Sequence, residues 1–154
     1  MPNPSTEGGS GAGTEVLRRG YVHAMTNSST TLLAGVANHI YTVLSIVCMA
    51  TTVQNDGNWV DVYFDAFDSK GAASGADIKI FRQAMNGQET FVWNDKFSFN
   101  GCEPTGFSGA LSTVAEQDAL ADQGSSTSQI LWVATQHADD DMDVTITYID
   151  QNNE

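Results

Sequence analysis

The sequence predicts an all-β fold in which two antiparallel sheets pack as a sandwich. Runs with strand character follow one another closely, turn dipeptides separate them, and helix signals are almost absent. The predicted strands are residues 16–25, 30–34, 39–52, 59–67, 77–85, 89–99, 129–136 and 141–150. About eight such strands favour a β-sandwich of jelly-roll type. An immunoglobulin-like sandwich is the alternative, although the Cys–Trp–Cys pattern of that fold is missing.

The first two predicted strands are weak, and the third is the strongest in the chain. Gly20 predicts a bulge or a bend within residues 16–25, and Gly35 marks the turn after the second strand. Residues 40–50 are apolar at both even and odd positions, which is typical of a strand buried on both faces. Such a strand lies in the centre of a sheet, or its outer face meets another subunit.

A hairpin turn at Asp56-Gly57 leads into residues 59–67, whose alternation is regular. The predicted core side consists of Val60, Val62, Phe64 and Ala66. The other side is Trp59, Asp61, Tyr63, Asp65 and Phe67. Its mixture of aromatic and acidic residues suits a half-exposed or contacting face.

The later strands are bounded by similar turn signals. Ile78 and Ile80 are predicted to point inward from their strand, and Asn86-Gly87 forms the turn that follows. Asn94-Asp95 is expected to interrupt residues 89–99. The final hairpin is predicted from the alternation of residues 141–150.

Two segments stand outside the strand pattern. Residues 1–15 are rich in Gly, Ser and Pro and predict a flexible N-terminal arm before a single domain over residues 16–154. Residues 101–128 form a long excursion, in which residues 113–121 can make a short helix. An excursion of this length in a compact domain usually serves a function or an interaction.

The composition is acidic and poor in charge overall. Nineteen acidic residues oppose six basic ones, for a net charge of -13, and charged residues make up only 16% of the chain. Nucleic-acid binding needs cations that displace counterions from phosphates, so we expect no nucleic-acid partner. An anionic membrane surface is disfavoured for the same reason. A basic protein surface remains a suitable partner.

The two cysteines and the chain start predict a protein made in a reducing compartment. Cys48 lies in an apolar run and is expected in the core, whereas Cys102 lies in a turn segment. A disulfide between them is left open and has no support from the pattern. The first fifteen residues show no apolar signal-peptide core, and no run reaches the length of a membrane span.

No catalytic, cofactor-binding or metal-binding residue is assigned, and the chain is expected not to be an enzyme. His23, His39 and His137 are scattered, without the paired spacing of metal ligands. No nucleophile elbow occurs, and the glycines near the start follow no strand, so they form no phosphate loop.

The acidic residues leave two alternatives open. Asp61 and Asp65 share one face and resemble a glycosidase pair in spacing, although most carboxylates are simply solvated. Residues 139–143 place Asp at alternate positions like the start of an EF-hand, but Val144 replaces the required Gly. A looser calcium site is one reading of this turn, and a charged, soluble hairpin turn is the other.

The segment from residue 39 to residue 148 resembles the jelly-roll head decoration (cement) proteins of tailed bacteriophages. The resemblance rests on the order of five strings: HIYTVLSIVCMATT, WVDVYFDAF, NGQETFVWNDKFSF, QILWVATQ and MDVTITYID. The excursion at residues 101–128 departs from the compact version of these proteins.

The resemblance implies a structural virion protein on the capsid surface, assembled in the host cytoplasm. Such proteins bind and bridge major capsid proteins, often as trimers, so a homo-oligomer with the trimer favoured is implied here. The arm would extend over a neighbour and order on binding. The residues predicted to bind the partner are Pro4, Glu7, Thr14, Trp59, Tyr63, Phe67 and Phe107.

Two other functions are weighed against the decoration role. One is a phage tail, baseplate or fibre component that binds glycans through Trp59, Tyr63, Trp93 and Trp132, although such aromatics more often belong to a core or an interface. The other is a small hydrolase acting through Asp61. The sequence leaves the head or tail location, the oligomeric state and the host open.

Overall fold

A computed structural model describes residues 14–36, 38–67, 75–103 and 127–152, and within them every regular element is a β-strand. The strands are β1 (Thr14–Met25), β2 (Thr30–Ala34), β3 (His39–Thr52), β4 (Asn58–Phe67), β5 (Gly75–Met85), β6 (Thr90–Trp93), β7 (Phe97–Asn100), β8 (Cys102–Glu103), β9 (Thr127–Ser128), β10 (Ile130–Thr135) and β11 (Asp141–Asn152). The helix predicted at 113–121 and most of the predicted arm and excursion lie outside the described residues.

The strands form two main antiparallel sheets that pack against each other, which confirms the predicted β-sandwich. In the first sheet the order is β1-β11-β3, and both β6 and β7 pair along the remaining side of β3. In the second sheet the order is β2-β10-β4-β5. A small third sheet pairs β8 with β9 and brings together the two ends of the excursion.

The strand pairing is nested along the chain. β4 pairs with β5, β3 with β6 and β7, β2 with β10, and β1 with β11. The chain therefore crosses between the two sheets at most of its connections, with the β4–β5 hairpin at the centre of the nest.

The core lies between the two sheets and consists of side chains that alternate along the strands. The first sheet contributes Val43, Ile46, Val144 and Ile146, and the second contributes Val60, Val62, Leu131 and Val133, all fully buried. An aromatic cluster extends this core at one side of the sandwich, with Trp93 packed on Phe81 and Phe97. Trp93 is partly buried and packs against the core, which favours the core role over the glycan-stacking role considered for it.

Most of the predicted strand boundaries are confirmed to within a few residues. β3 lies between β11 and the β6/β7 side, which confirms its predicted central position. The predicted interruption at Asn94-Asp95 separates β6 from β7. Thr14 and Glu15, predicted to belong to the arm, are the first residues of β1. Cys48 is a buried free thiol, so it forms no disulfide.

One local prediction is wrong for an identifiable reason. Gly20 is in regular register opposite Ile146, and the irregularity of β1 lies between Val22 and Met25. A Cβ at Gly20 would stand 2.8 Å from Cγ2 of Ile146, so this glycine is required by close packing. Ile78 stands opposite Phe64, which packs against the core, so it lies on the inner side of the sheet as predicted, although it is 43% exposed on the edge strand β5. Ile80 also packs against the core, as predicted.

The end of the sandwich where the excursion leaves is held by close backbone contacts. Gly35 donates a hydrogen bond to the carbonyl of Gln129 over 2.8 Å, and Gly101 donates one to the carbonyl of His39 over 2.8 Å. A Cβ on Gly101 would lie 1.7 Å from the carbonyl oxygen of Val36. Only glycine fits at this contact, because backbone atoms cannot move aside as a flexible side chain can.

Candidate functional site

The outer face of the second sheet gathers aromatic, cationic and acidic side chains into one cluster. β4 supplies Trp59, Asp61 and Tyr63, because alternate residues of a strand point to the same side. Neighbouring strands place Trp132 opposite Tyr63, Arg82 opposite Asp61 and Lys79 opposite Tyr63. These six side chains are called the aromatic–cation patch below.

A buried carboxylate stands at the centre of the patch. Arg82 binds Asp61 through both ends of its guanidinium, with Nε 2.7 Å from Oδ1 and Nη2 2.6 Å from Oδ2. Lys79 donates a further hydrogen bond to Oδ2. The Asp61 side chain is only 3% exposed, whereas those of Lys79 and Arg82 are about half exposed. A carboxylate with two cations and short bonds of this kind is held in one orientation.

The electrostatic balance keeps Asp61 ionised. Burial raises the pKa of its carboxyl, but the hydrogen bonds and charges of Arg82 and Lys79 outweigh burial and hold the pKa below its ordinary value. A general acid in a glycosidase needs the opposite shift, toward neutral pH. The geometry therefore favours a structural anchor at Asp61 over a proton donor, and the side chain of Asp65 lies outside the described residues.

The same two cations stack on the aromatic rings of the patch. The guanidinium carbon of Arg82 lies 3.9 Å from the centroid of the Trp59 ring, and Nζ of Lys79 lies 5.5 Å from the Tyr63 centroid. The hydroxyls of Tyr63 and Ser29 are 2.5 Å apart. Trp59 and Tyr63 are thus each held by a side chain from a neighbouring strand or loop.

The structure brings together only some of the residues predicted to bind a partner. Trp59 and Tyr63 are neighbours in the patch, and Phe67 ends the same strand with its backbone opposite Gly75. Thr14 stands opposite Asn152 at the start of β1, in the other sheet. The remaining predicted residues, Pro4, Glu7 and Phe107, lie outside the described residues.

Sequence reasoning missed Lys79 and Arg82 as members of the patch. Residues three apart in a regular strand point to opposite faces. In the pairing of β4 with β5, Val62 stands opposite Phe81 and Tyr63 stands opposite Lys79, so β5 has one extra residue at this point. Because of this extra residue, Lys79 and Arg82 point to the same side of the sheet. The surplus of hydrophobic residues at Ile78, Ile80 and Phe81, which breaks the alternation, is the signal that could have shown the bulge.

Within the acidic turn at residues 139–143, Asp140 is held by hydrogen bonds from the protein. Asp140 is 2% exposed and accepts bonds of 2.9 Å from the backbone N–H groups of Gln54 and His137. It also accepts from the side-chain amide of Asn58, at 2.9 and 3.3 Å. Both carboxylate oxygens thus face N–H donors, which a cation would have to displace. In the described parts of the chain, no three His, Cys, Asp or Glu side chains are grouped to hold a metal.

Each of the three histidines stands beside an aspartate. For His23 and His39 this aspartate is distant in sequence, and for His137 it lies in the same turn. His23 Nδ1 lies 2.6 Å from Asp143, and His137 Nδ1 lies 3.6 Å from Asp139. His39 Nδ1 lies 2.6 Å from Asp150, which also binds Nε of Arg18 at 2.7 Å. Asp150 is nearly buried, so this group ties β1, β3 and β11 together.

The outer face of the first sheet is of a different kind. One row of register partners consists of Tyr21, Thr145, Val47 and Val92, and another of Leu17, Ile149, Thr42 and Ser98. These two rows and the residues between them form what is called the flat face below. Both rows consist of uncharged side chains, whereas Arg19 lies between Leu17 and Tyr21, and the turn between Val92 and Ser98 carries the exposed Asp95 and Lys96.

No protein-family model, no curated protein and no solved structure matches this chain. The resemblance to head decoration proteins therefore stays a prediction. No helix in the described ranges is long and apolar enough to cross a membrane.

Proposed function

We propose that this chain is a structural virion protein, a head decoration subunit that binds and bridges major capsid proteins through its aromatic–cation patch. The observation that carries the proposal is the grouping of Trp59, Tyr63 and Trp132 with Arg82 on one outer face, with Arg82 stacked on Trp59. Aromatic residues and arginine are the types enriched at the energetic centres of protein interfaces.

The fixed contacts within the patch support a binding role. A side chain that is already fixed loses little conformational entropy when a partner covers it, so more of the contact energy appears as affinity. Asp61 fixes Arg82, and Arg82 in turn covers Trp59 at 3.9 Å. A chain that served only as a folded spacer would have no need of such an arrangement on an exposed face.

The nested strand pairing supports the jelly-roll form of the fold within this proposal. A ribbon of four antiparallel pairs, folded once at the β4–β5 hairpin and wrapped into two sheets, produces the order β1-β11-β3-β6 beside β2-β10-β4-β5. The low share of charged residues, 16%, also suits a protein packed closely among other subunits. The partners proposed are a major capsid protein and further copies of this chain, on the capsid surface.

The binding face is tested with virus-sized particles from the source material that have been stripped of this chain. Trp59→Ala and Arg82→Met are compared with the unaltered chain in co-sedimentation with these particles. We expect binding to weaken at least about tenfold, the loss that a single interface hot spot causes. Tyr21→Ala is the matched control, since Tyr21 is an exposed aromatic on the first sheet. Equal binding by all variants would contradict a capsid role for the patch.

A second candidate, a tail, baseplate or fibre component that binds glycans, is favoured by one observation. Trp132 and Tyr63 stand side by side on neighbouring strands, as in platforms on which sugars stack. A glycan array probed with the unaltered chain and with Trp132→Ala separates the two. Saturable glycan binding lost in the variant would favour this candidate over the decoration role.

A further inference from the structure

β1 forms an edge of the first sheet that lacks the features by which edge strands usually avoid pairing. It has 12 residues, and its register with β11 is unbroken from Thr14 to Val22. The other edges are shorter or irregular, because β2 has five residues, β6 and β7 have four each, and a bulge interrupts β5. Short strands and bulges prevent the addition of a further strand. Among the described strands, β1 is therefore the edge at which another strand can be added.

The backbone of β1 directs alternate residues toward this free edge. In antiparallel sheets, residues that bond to one neighbouring strand alternate with residues that bond to the other. Gly101 donates a hydrogen bond to the carbonyl of His39, so odd-numbered residues at this end of β3 bond to β7 and even-numbered ones bond to β11. The registers then assign the even-numbered residues of β11 to the even-numbered residues of β1. The N–H and C=O groups of Glu15, Leu17 and Arg19 consequently point outward to the free edge.

The side chains of the same three residues decide which strand can be added. They share the outer face of the first sheet, where Leu17 is 68% exposed at the end of one row of the flat face. Glu15 and Arg19 are also exposed, and neither side chain has a hydrogen-bond or ion-pair partner among the described residues. Arg18, by contrast, binds Asp150 at 2.7 Å. An unpaired acid and an unpaired base thus stand two residues on either side of an exposed leucine.

This spacing makes β1 complementary to a second copy of itself. In an added antiparallel strand, outward-bonding residues must face outward-bonding residues, so odd-numbered positions face odd-numbered positions. A register centred on Leu17 places Glu15 of each copy opposite Arg19 of the other, and Leu17 opposite itself. Registers centred on Arg18 or Arg19 place two arginines directly opposite each other, which is unfavourable.

The charge of β1 also differs from that of the chain as a whole. Two of the six basic residues lie in β1, against one acidic residue. The chain has a net charge of -13, so two copies repel each other over most of their surface. The β1 edge is locally positive and brings one acid opposite one base, which favours approach of a second copy at this place.

We infer that two copies of this chain join edge to edge through β1, paired antiparallel about a two-fold axis at Leu17. Each facing pair of outward-bonding residues exchanges two backbone hydrogen bonds. A strand that pairs with itself in this way closes at two copies, so the assembly is a dimer and not the trimer that the resemblance implies. The two first sheets become one continuous sheet, and the two flat faces become one surface.

The dimer also fixes how the two aromatic–cation patches are oriented. Residues directly opposite each other in a sheet point to the same face, so the flat faces of both copies lie on one side. The second sheets, which carry the patches, lie together on the other side and present both patches in the same general direction. Two patches that face one way can bind a single large surface together, which raises the overall affinity. The inference itself does not rest on the decoration role.

The first test is sedimentation velocity of the purified full chain, from micromolar to near-millimolar concentration. We expect a reversible species of twice the 16.5 kDa chain mass. Glu15→Arg places a cation opposite Arg19 at two symmetric positions, and Arg19→Glu places a carboxylate opposite Glu15 in the same way. We expect the dimer of each variant to be at least about tenfold weaker, because an attractive cross-strand pair becomes a repulsive one at both positions.

The double variant with Glu15→Arg and Arg19→Glu is the decisive control. It keeps the net charge of the unaltered chain and restores opposite charges across the axis, so we expect its dimer to recover. Glu15→Arg alone makes the chain less negative and Arg19→Glu alone makes it more negative, so general charge repulsion would move these two variants in opposite directions. Lys96→Glu changes the net charge as Arg19→Glu does, but it lies in the exposed turn between β6 and β7 and should dimerise like the unaltered chain.

Amide hydrogen exchange of the unaltered chain, followed by NMR, tests the register without any substitution. The N–H groups of Leu17 and Arg19 should exchange more slowly as the concentration rises, since they become bonded only in the dimer. The N–H group of Arg18 already bonds to β11 and should be protected at every concentration.

Four results would overturn the inference. The unaltered chain would remain at 16.5 kDa at all concentrations, or a species of three chains would form. Alternatively, the double variant would associate as weakly as the single variants, or the N–H group of Leu17 would exchange at the same rate in monomer and dimer. The decoration role is tested separately by particle binding, so failure here would leave that proposal standing.

Discussion

Replacing Asp61 by asparagine tests whether the aromatic–cation patch depends on its buried carboxylate. The substitution keeps the shape of the side chain but removes its charge. It also replaces one acceptor oxygen by an NH2 group, which cannot accept a hydrogen bond from Arg82 or Lys79. Three charge-assisted hydrogen bonds are lost or weakened, two from Arg82 and one from Lys79. Each such bond contributes about 1.5–3 kcal/mol.

The net cost is smaller than the sum of these bonds for two reasons. The Asp61 carboxylate is 3% exposed, so the cost of removing it from water already offsets part of the energy of these bonds. The side chains of Lys79 and Arg82 are about half exposed, so water can solvate them when their partner is lost. Removing one partner of a fully buried ion pair costs about 3–5 kcal/mol. For this partly exposed pair we expect the free energy of unfolding to fall by about 2–3 kcal/mol at pH 7.

The assay is equilibrium unfolding in urea at several pH values, with Asp56→Asn as the control. Asp56 is an exposed turn residue, and its substitution should change stability by less than about 0.5 kcal/mol. Because folding lowers the pKa of Asp61, its contribution is complete above the ordinary value of 3.8 and declines as the pH falls below that value. The difference between the unaltered chain and Asp61→Asn should therefore shrink below about pH 4.

Two outcomes would refute this reasoning. One is an Asp61→Asn variant within about 0.5 kcal/mol of the unaltered chain at pH 7. The other is a large difference that stays constant as the pH is lowered through the titration of the carboxyl. Either outcome would show that the ion pairs do not hold the patch together.

Three further substitutions or reactions test the rest of the fold. Asp140→Ala leaves donors from two turns and from Asn58 without an acceptor, so we expect the free energy of unfolding, measured in urea or by heating, to fall by about 3–5 kcal/mol. Because the same donors occupy both carboxylate oxygens of Asp140, added calcium should not raise the melting temperature of the unaltered chain. Gly20→Ala forces a Cβ to 2.8 Å from Ile146 and should cost about 1–3 kcal/mol in the same assay, whereas a neutral result would mean that the core yields there. Burial raises the pKa of Cys48 to about 12, so in a Cys102→Ser background the thiol should resist alkylation until the chain unfolds, and rapid modification of the folded protein would contradict its burial.

The strands of this protein are predictable because their side chains alternate over a half-buried surface. β4 illustrates this, since Val60 and Val62 are fully buried while Trp59 and Tyr63 stand on the outer face. The central position of β3 follows in the same way from its apolar residues on both faces. Local patterns of this kind need no knowledge of what lies across the sandwich.

The features that sequence reasoning missed depend on contacts between distant segments. Arg18, His39 and Asp150 meet across separations of more than a hundred residues, and no local spacing indicates such a group. Gly20 resembles a bulge in isolation, and only the position of Ile146 shows that it is a packing glycine. The buried state of Asp140 likewise depends on donors from another turn, so its sequence neighbours suggest an ion site instead.

The patch shows both the success and the limit of sequence reasoning at one site. Alternation along β4 correctly predicts that Trp59 and Tyr63 lie on an outer face. Alternation along β5 does not predict that Lys79 and Arg82 share that face, because a bulge in β5 changes which residues point to it. A bulge depends on the pairing of two strands and is therefore weakly marked in either sequence alone.

The most direct test of the decoration role is sedimentation of source material on a density gradient, with this chain followed by mass spectrometry. We expect it to migrate with virus-sized particles in a fixed ratio to their major capsid protein, and to remain with them after the gradient is repeated. Recovery of the chain only in the soluble fractions, with such particles present but free of it, would contradict the decoration role.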